Sequence, residues 1–407
     1  MSKKVLIITA ILPFLYVPNL QAVHYDSNWV GGSWGYWETV SNWDPAIVPE
    51  NGADTFSVTI NGGSGTDISL QQNHTIVNLN CHGKVQFKCW PLEEITLTLT
   101  DDVNGLINHD ALNLDDTFII IGNISNHYEL IIEEDAEVHG NIVNYGLMEA
   151  TGDVEIEGSV TNTAGAKALL GDEDSGTSIE GNLTNATGGL IEVESSLNVG
   201  GDLDNAGCID LRTIFKCQIE GELKNSGVLY NKVLISVRME PAVDVNNSGT
   251  IEVNAGGGII FDCNLVNEPN GVIQLFGGTL AATMITQSTD ANFAGFGGIT
   301  ADIVIDPNGI IQLTGPTNIV GDVNIQTNAT LEISDGITLV TGHTTNNGTI
   351  HMKGGRLIPQ GGITNNGNII WEPGLYNNVA DFNLDGAVNL EDFADFAGTW
   401  LWQTSWN

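Results

Sequence analysis

Short runs in which apolar and polar residues alternate recur along most of this chain, as in Ile209-Asp-Leu211, Ile251-Glu-Val253 and Leu331-Glu-Ile333. A period of two sends successive side chains to opposite faces of an extended strand, so each run predicts a short β-strand with one apolar face. The runs sit in a repeating frame. Gly140-Asn-Ile-Val-Asn144-Tyr-Gly, Gly181-Asn-Leu-Thr-Asn185, Gly201-Asp-Leu-Asp-Asn205-Ala-Gly, Gly221-Glu-Leu-Lys-Asn225-Ser-Gly and Gly362-Ile-Thr-Asn365-Asn-Gly all share it. Anchored on its asparagine, the frame passes through Asn126, Asn144, Asn162, Asn185, Asn205, Asn225, Asn247 and Asn267, in steps of 18, 18, 23, 20, 20, 22 and 20 residues. After a gap of 39, Asp306 resumes it, and Asn346 and Asn365 continue it.

A period near twenty is too short for helical repeats and carries no leucine-rich or ankyrin signature. One coil of that length cannot bury its apolar side alone, whereas coils stacked about 4.8 Å apart create a continuous core. The pattern therefore predicts an all-β chain, a right-handed parallel β-helix of about 20 residues per coil. Corner glycines are expected where the backbone takes angles that side chains disfavour. Asparagines stacked at one corner can hydrogen-bond along the axis as a ladder, a structural role. The sequons at Asn182, Asn185 and Asn328 fall in this frame and are not read as glycosylation sites.

The two ends differ from the array. Residues 1–22 read as an export signal, with Lys3 and Lys4 before the apolar run Val5 to Val17 and Ala22 as the cleavage point. The apolar run is too short to span a bilayer, and no other stretch is long enough. Residues 23–105 are read as a tryptophan-rich cap and first coils, residues 106–375 as the solenoid and residues 376–407 as a calcium loop and helix. Trp29, Trp34, Trp37 and Trp43 precede Pro49 and the strand Phe56-Ser-Val-Thr-Ile60. Exposed tryptophans stack on sugars, but a solenoid end also needs an aromatic plug, and the plug is the expectation. Gly35-x-Trp37, Asn42-Trp43-Asp44 and Pro49 together resemble the start of large secreted repeat proteins of planctomycete-like and related bacteria.

Charge narrows the partners. Fifty acidic residues against 12 lysines and arginines give a formal charge of -38, which excludes nucleic acid and anionic membrane as natural partners and suits divalent cations. The most specific chemistry is Asp381-Phe-Asn383-Leu-Asp385-Gly386-Ala387-Val388-Asn389-Leu-Glu-Asp392. Oxygen donors at positions 1, 3, 5, 9 and 12, a glycine at 6 and a backbone carbonyl at 7 are the pattern of a calcium loop. Leu390, Phe393, Ala397 and Trp400 follow at helical spacing. This loop and helix resemble one half of a type I dockerin, whose loop likewise ends in aspartate. The resemblance implies Asp381, Asn383, Asp385, the Ala387 carbonyl, Asn389 and Asp392 as calcium ligands, and a cohesin-like or cell-surface partner. Dockerins normally carry two such repeats, and a polar residue or glycine where Leu384 stands.

Within the array, the outward column Glu149, Glu192, Asp210, Tyr230, Glu252, Gln274, Gln312, Glu332 and His351 is rich in acids. Carboxylates on adjacent coils repel, and calcium bridging them or a glycosidase-like pair are alternatives to a solvated face. Parallel β-helices often carry polysaccharide lyases and hydrolases. A lyase requires a base beside calcium, and Arg212, Arg238 and Arg356 fall in different coils with no acidic cluster evident around them. A hydrolase requires grouped carboxylates in a cleft, while these repeats are short and even. The expectation is an exported, non-catalytic surface, matrix or adhesive protein, with a polysaccharide-degrading enzyme or glycan-binding module as the alternative. Among five cysteines, Cys81 and Cys89 are the candidate disulfide pair, Cys217 points inward, Cys208 outward, and Cys263 has no evident partner. Cys81 beside His82 lacks the C-x-x-C spacing of a metal site.

Overall fold

The computed structural model describes residues 22–89, 94–115, 117–172, 175–212, 216–231, 236–241 and 243–372. The export signal before Ala22 and the calcium loop at 381–392 lie outside them. Within them the chain is an all-β parallel solenoid of about 15 turns, near 20 residues per turn, with a single short 3-10 turn at Val40–Asn42 as its helical content.

Strand pairing shows three strands per coil, because from Ala111–Leu114 to Gly258–Phe261 each strand pairs in parallel with the third one along the chain. One coil illustrates the plan. Leu203–Asn205 forms the first face, Cys208–Leu211 the second and Lys216–Ile219 the third. They pair upward with Leu223–Asn225, Val228–Asn231 and Ser236–Pro241. Leu203, Ile209, Leu211, Cys217 and Ile219 point inward and are buried, so three narrow apolar stripes meet along one axis. Each aliphatic removed from water contributes roughly 1.5–3 kcal/mol, and none could do so without the coils above and below.

The asparagine ladder is present and lies inside. From Asn108 to Asn267 every frame asparagine is buried, and each side-chain amide donates to the side-chain oxygen one coil on. These bonds are 2.7–2.9 Å long. The same amides reach a backbone carbonyl of the second face, as Asn205 does to Val228 at 3.1 Å. Asn267 then donates to Gln287, and the column continues through Ile305 and Ile325 before Asn346 donates to Asn365. Asp306 is therefore not the frame residue: it stands one position past the corner, where an acid meets solvent while Ile305 takes the inward place. Asn185 is buried in the ladder, which removes its sequon from glycosylation in the folded chain.

Some corner glycines take the expected left-handed backbone, as Gly165, Gly188 and Gly256 do with φ of 80, 84 and 82°, but those after the ladder asparagines have a different reason. Gly207, Gly227 and Gly249 do not need unusual backbone angles; a Cβ on Gly227 would sit 2.0 Å from the Gly207 carbonyl oxygen, and one on Gly249 2.1 Å from that of Gly227. Close approach of stacked corners, not φ, excludes a side chain there.

The expected Cys81–Cys89 disulfide is not formed. Cys81 occupies the ladder column below Asn108, whereas Cys89 ends a strand of the second face, so they belong to different stripes. Burial pushes the inward Cys217 thiol up to about 12, as befits a packing residue. At the head of the array, Trp29, Trp37 and Trp43 are buried and meet edge to face at 4.6–5.1 Å, while Trp34 is exposed.

Candidate functional site

The acidic column occupies the outward position at the middle of the second face. Register places Glu149, Leu169, Glu192, Asp210, Tyr230, Glu252, Gln274, Ala294, Gln312, Glu332, His351 and Ile370 one above another. Every residue expected in the stripe is there. Leu169 and Ala294, which interrupt it, had no place in the sequence frame because the frame was anchored on the first face. Interruption matters electrostatically, because Glu192 and Asp210 are the only acids in this column stacked directly on each other.

That pair is covered by cations. Lys167 Nζ lies 2.7 Å from Glu192 Oε2, and Arg212 binds Asp210 through Nε at 2.8 Å, Glu192 through Nη2 and Glu194 through Nη1 at 3.4 Å. Glu192 and Asp210 are 4% and 3% exposed although they face outward, because Lys167 and Arg212 lie across them. Arg212 thus sits among three carboxylates, which corrects the expectation of no acidic cluster around it. Asp210 is two residues away on the same coil, whereas Glu192 and Glu194 come from the preceding one, and spacing along one chain conceals contacts across a coil. Partial burial works against the Arg212 charge, but the hydrogen bond and charge of Asp210, with Glu192 and Glu194, outweigh it and raise its pKa. Burial first, then the Asp210 charge and a hydrogen bond to it, raise the Tyr230 hydroxyl and keep it protonated. Arg238 is similarly engaged, with Asp262 at 2.6 Å and Glu240 at 3.3 Å.

Chemically this arrangement is an ion-pair network of two cations and three carboxylates. A glycosidase acid needs a carboxyl kept protonated in apolar surroundings, and both carboxylates here are ion-paired instead. A lyase-type base needs a group that loses its proton readily, while Arg212 and Tyr230 are held the other way. Two shallow recesses, of about 510 and 460 Å³, lie elsewhere: one beside Asp204, Lys224 and Asn246 on the first face, the other beside Glu155, Ser178 and Gln218 on the third. Farther along the column Lys353 pairs with Glu332 at 2.8 Å, and Asn254 donates to Glu252 at 3.1 Å. Among the described residues no group of three histidine, cysteine, aspartate or glutamate side chains is placed to hold a metal ion.

Two further clusters escaped sequence reading. His74 is buried with Nδ1 2.7 Å from Glu50 and Nε2 3.0 Å from Glu38, beside Trp37. His82, His109, His127 and Tyr145 stack ring on ring at 4.3, 5.4 and 4.9 Å, nearly parallel. Each stands one residue after a ladder position, so carrying the frame upstream to Asn108 and Cys81 is the signal that finds them. The calcium-ligand candidates Asp381, Asn383, Asp385, Ala387, Asn389 and Asp392 lie outside the described residues. No protein-family model, curated protein or solved structure matches this chain.

Proposed function

We propose that this chain is an exported, non-catalytic solenoid that serves as a spacer or adhesive surface outside the cell, with residues 381–392 binding calcium in its attachment segment. The observation that carries the reading is the state of the acidic column. Its one stacked carboxylate pair is closed over by Lys167 and Arg212 on an even face, which suits load-bearing stacking and leaves no free acid and base facing a cleft. The formal charge of -38 supports an extracellular surface that repels polyanions. The resemblance of the loop to half a dockerin supports a cohesin-like or cell-surface partner, and a polysaccharide is the natural ligand of an adhesive face. The coil is taken as right-handed, the hand that parallel crossovers adopt.

Two measurements test this. Purified chain from residue 23 onward is expected to release no reducing or unsaturated sugar from a panel of neutral and uronic polysaccharides. Release that disappears in Glu192→Gln or Asp210→Asn would make the protein an enzyme and end the proposal. Calorimetry of the same chain is expected to show calcium binding that Asp381→Ala with Asp385→Ala removes; heat unchanged by the double substitution would remove the loop from the site.

A further inference from the structure

Charge is spread unevenly along this solenoid. Between Gly271 and Gly321 the chain carries three charged residues, Asp290, Asp302 and Asp306, and all three stand at corners beside the first face. The second and third faces built from residues 272–282, 292–301 and 310–320 therefore bear no charged side chain on three successive coils. Register bounds this neutral band. In the outward column of the second face, Gln274, Ala294 and Gln312 stand between Glu252 on the coil before and Glu332 on the coil after. What the band displays instead is rings and amides. Phe276 and Phe296 are register partners at the corner between the two faces, 46% and 38% exposed. Glycines make room for the second ring: a Cβ on Gly277 would lie 3.2 Å from Phe296 Cε2, and one on Gly315 3.1 Å from Phe296 Cγ. The ring thus rests across bare backbone of the coils on either side. Around it Gln274, Asn292, Gln312, Thr300 and Asn318 point outward and offer uncharged donors and acceptors.

We infer, resting on the adhesive reading of the chain, that this band binds an uncharged polysaccharide through Phe276 and Phe296. A pyranose ring shows C–H groups on its face and hydroxyls at its edge, so it packs on an exposed aromatic ring and exchanges hydrogen bonds with amides and hydroxyls beside it. Charge selects the class of glycan. The band holds no lysine or arginine to receive a uronate, and Glu252 and Glu332 on its borders repel one. Size decides against a protein partner. Three coils about 4.8 Å apart span roughly 14 Å along the axis, and the strands run about 33 Å around it, which gives on the order of 450 Å². That is roughly half of the ~800 Å² per partner in a standard protein interface, and it is folded over a corner. A linear glycan needs only a strip.

Affinity electrophoresis of the full chain from residue 23 tests this, in native gels cast with mixed-linkage β-glucan, galactomannan or polygalacturonate. At least one of the two neutral polymers is expected to retard the native chain, and polygalacturonate is not. Phe276→Ala with Phe296→Ala is expected to raise the dissociation constant at least about tenfold. Gln274→Glu, which gives this coil the residue that the coil before carries as Glu252, is expected to weaken retardation without lowering the melting temperature. Equal retardation of the native chain and both variants would take the ligand away from this band and leave the adhesive reading standing. No retardation by either neutral polymer overturns both, and retardation by polygalacturonate alone overturns the neutral class. Reducing sugar released from a polymer whose binding the phenylalanine variant loses ends the non-catalytic reading and keeps the surface. In sedimentation, a native dimer that the phenylalanine variant dissociates, with no retardation by any polymer, would assign the band to a second copy and overturn the inference.

Discussion

Asn205 exposes what one ladder position contributes. Its amide donates to Asn225 at 2.7 Å in the buried interior and to the part-buried Val228 carbonyl at 3.1 Å, while its oxygen accepts from Asn185 at 2.8 Å. Asn205→Ala removes the donor from two acceptors, one of them fully buried, and is expected to lower stability by about 2–3 kcal/mol. A urea midpoint shifted at constant slope is the reading; an unchanged midpoint would mean the ladder is ornamental to stability. The histidine stack predicts a pH effect. Partial burial, then the charges of His82 and His127, hold His109 below the ordinary imidazole range. A depressed histidine binds fewer protons when folded, so its contribution is present above the unfolded pKa near 6.5 and is lost as pH falls through that region. Glu38 acts in the same direction at lower pH: burial opposes its charge, but hydrogen bonds from His74 and the Gln71 backbone prevail and lower its pKa. Its stabilisation is complete above the unfolded carboxylate range and is lost as pH falls through the lowered value. Melting temperature measured from pH 7.5 to 5.5 is expected to fall, and to fall less in His109→Gln.

Among the elements, the corner between the first and second faces is the one the stacking constrains most. With a Cβ on Gly227 only 2.0 Å from the Gly207 carbonyl, Gly227→Ala must push two coils apart and is expected to cost about 3 kcal/mol. Gly52 has nothing within 4 Å of a built Cβ, so Gly52→Ala is the control expected to leave the midpoint in place. Equal effects at both sites would refute the close-approach account. The strands themselves were legible because alternation is a property of each short segment. The glycine mechanism was not legible, because the clashing carbonyl comes from the corner about twenty residues earlier. Where the frame lapsed, between Asn267 and Asn346, long continuous strands Val272–Gln287, Asn292–Ile305 and Ile310–Val320 run from one face into the next. Gln287, Ile305 and Ile325 at the ladder position there keep the interior filled and erase the sequence mark.

For the whole molecule the dominant long-range term is charge. With a formal charge of -38 on the chain, the folded protein repels itself, and several of the few cations among the described residues, Lys167, Arg212 and Arg238 included, are already engaged. Raising sodium chloride from about 20 mM to about 500 mM shortens the screening length severalfold and is expected to raise the melting temperature. A fall would mean that the ion-pair network outweighs the repulsion. Among the described residues no helix is long and apolar enough to cross a membrane.

The sequence by itself determined the coil: its period, its strands, the asparagine ladder at one corner and the outward acidic column all follow from local alternation and a repeated corner. Tertiary structure decided what those columns meet. That Arg212 bridges Asp210 to Glu192 of the coil before, that imidazoles stack from His82 to His127 and that Cys81 and Cys89 fall on different stripes are relations between coils and faces. Stacking converts residues about twenty apart into neighbours roughly 4.8 Å apart, a relation the linear chain marks only where the frame never slips.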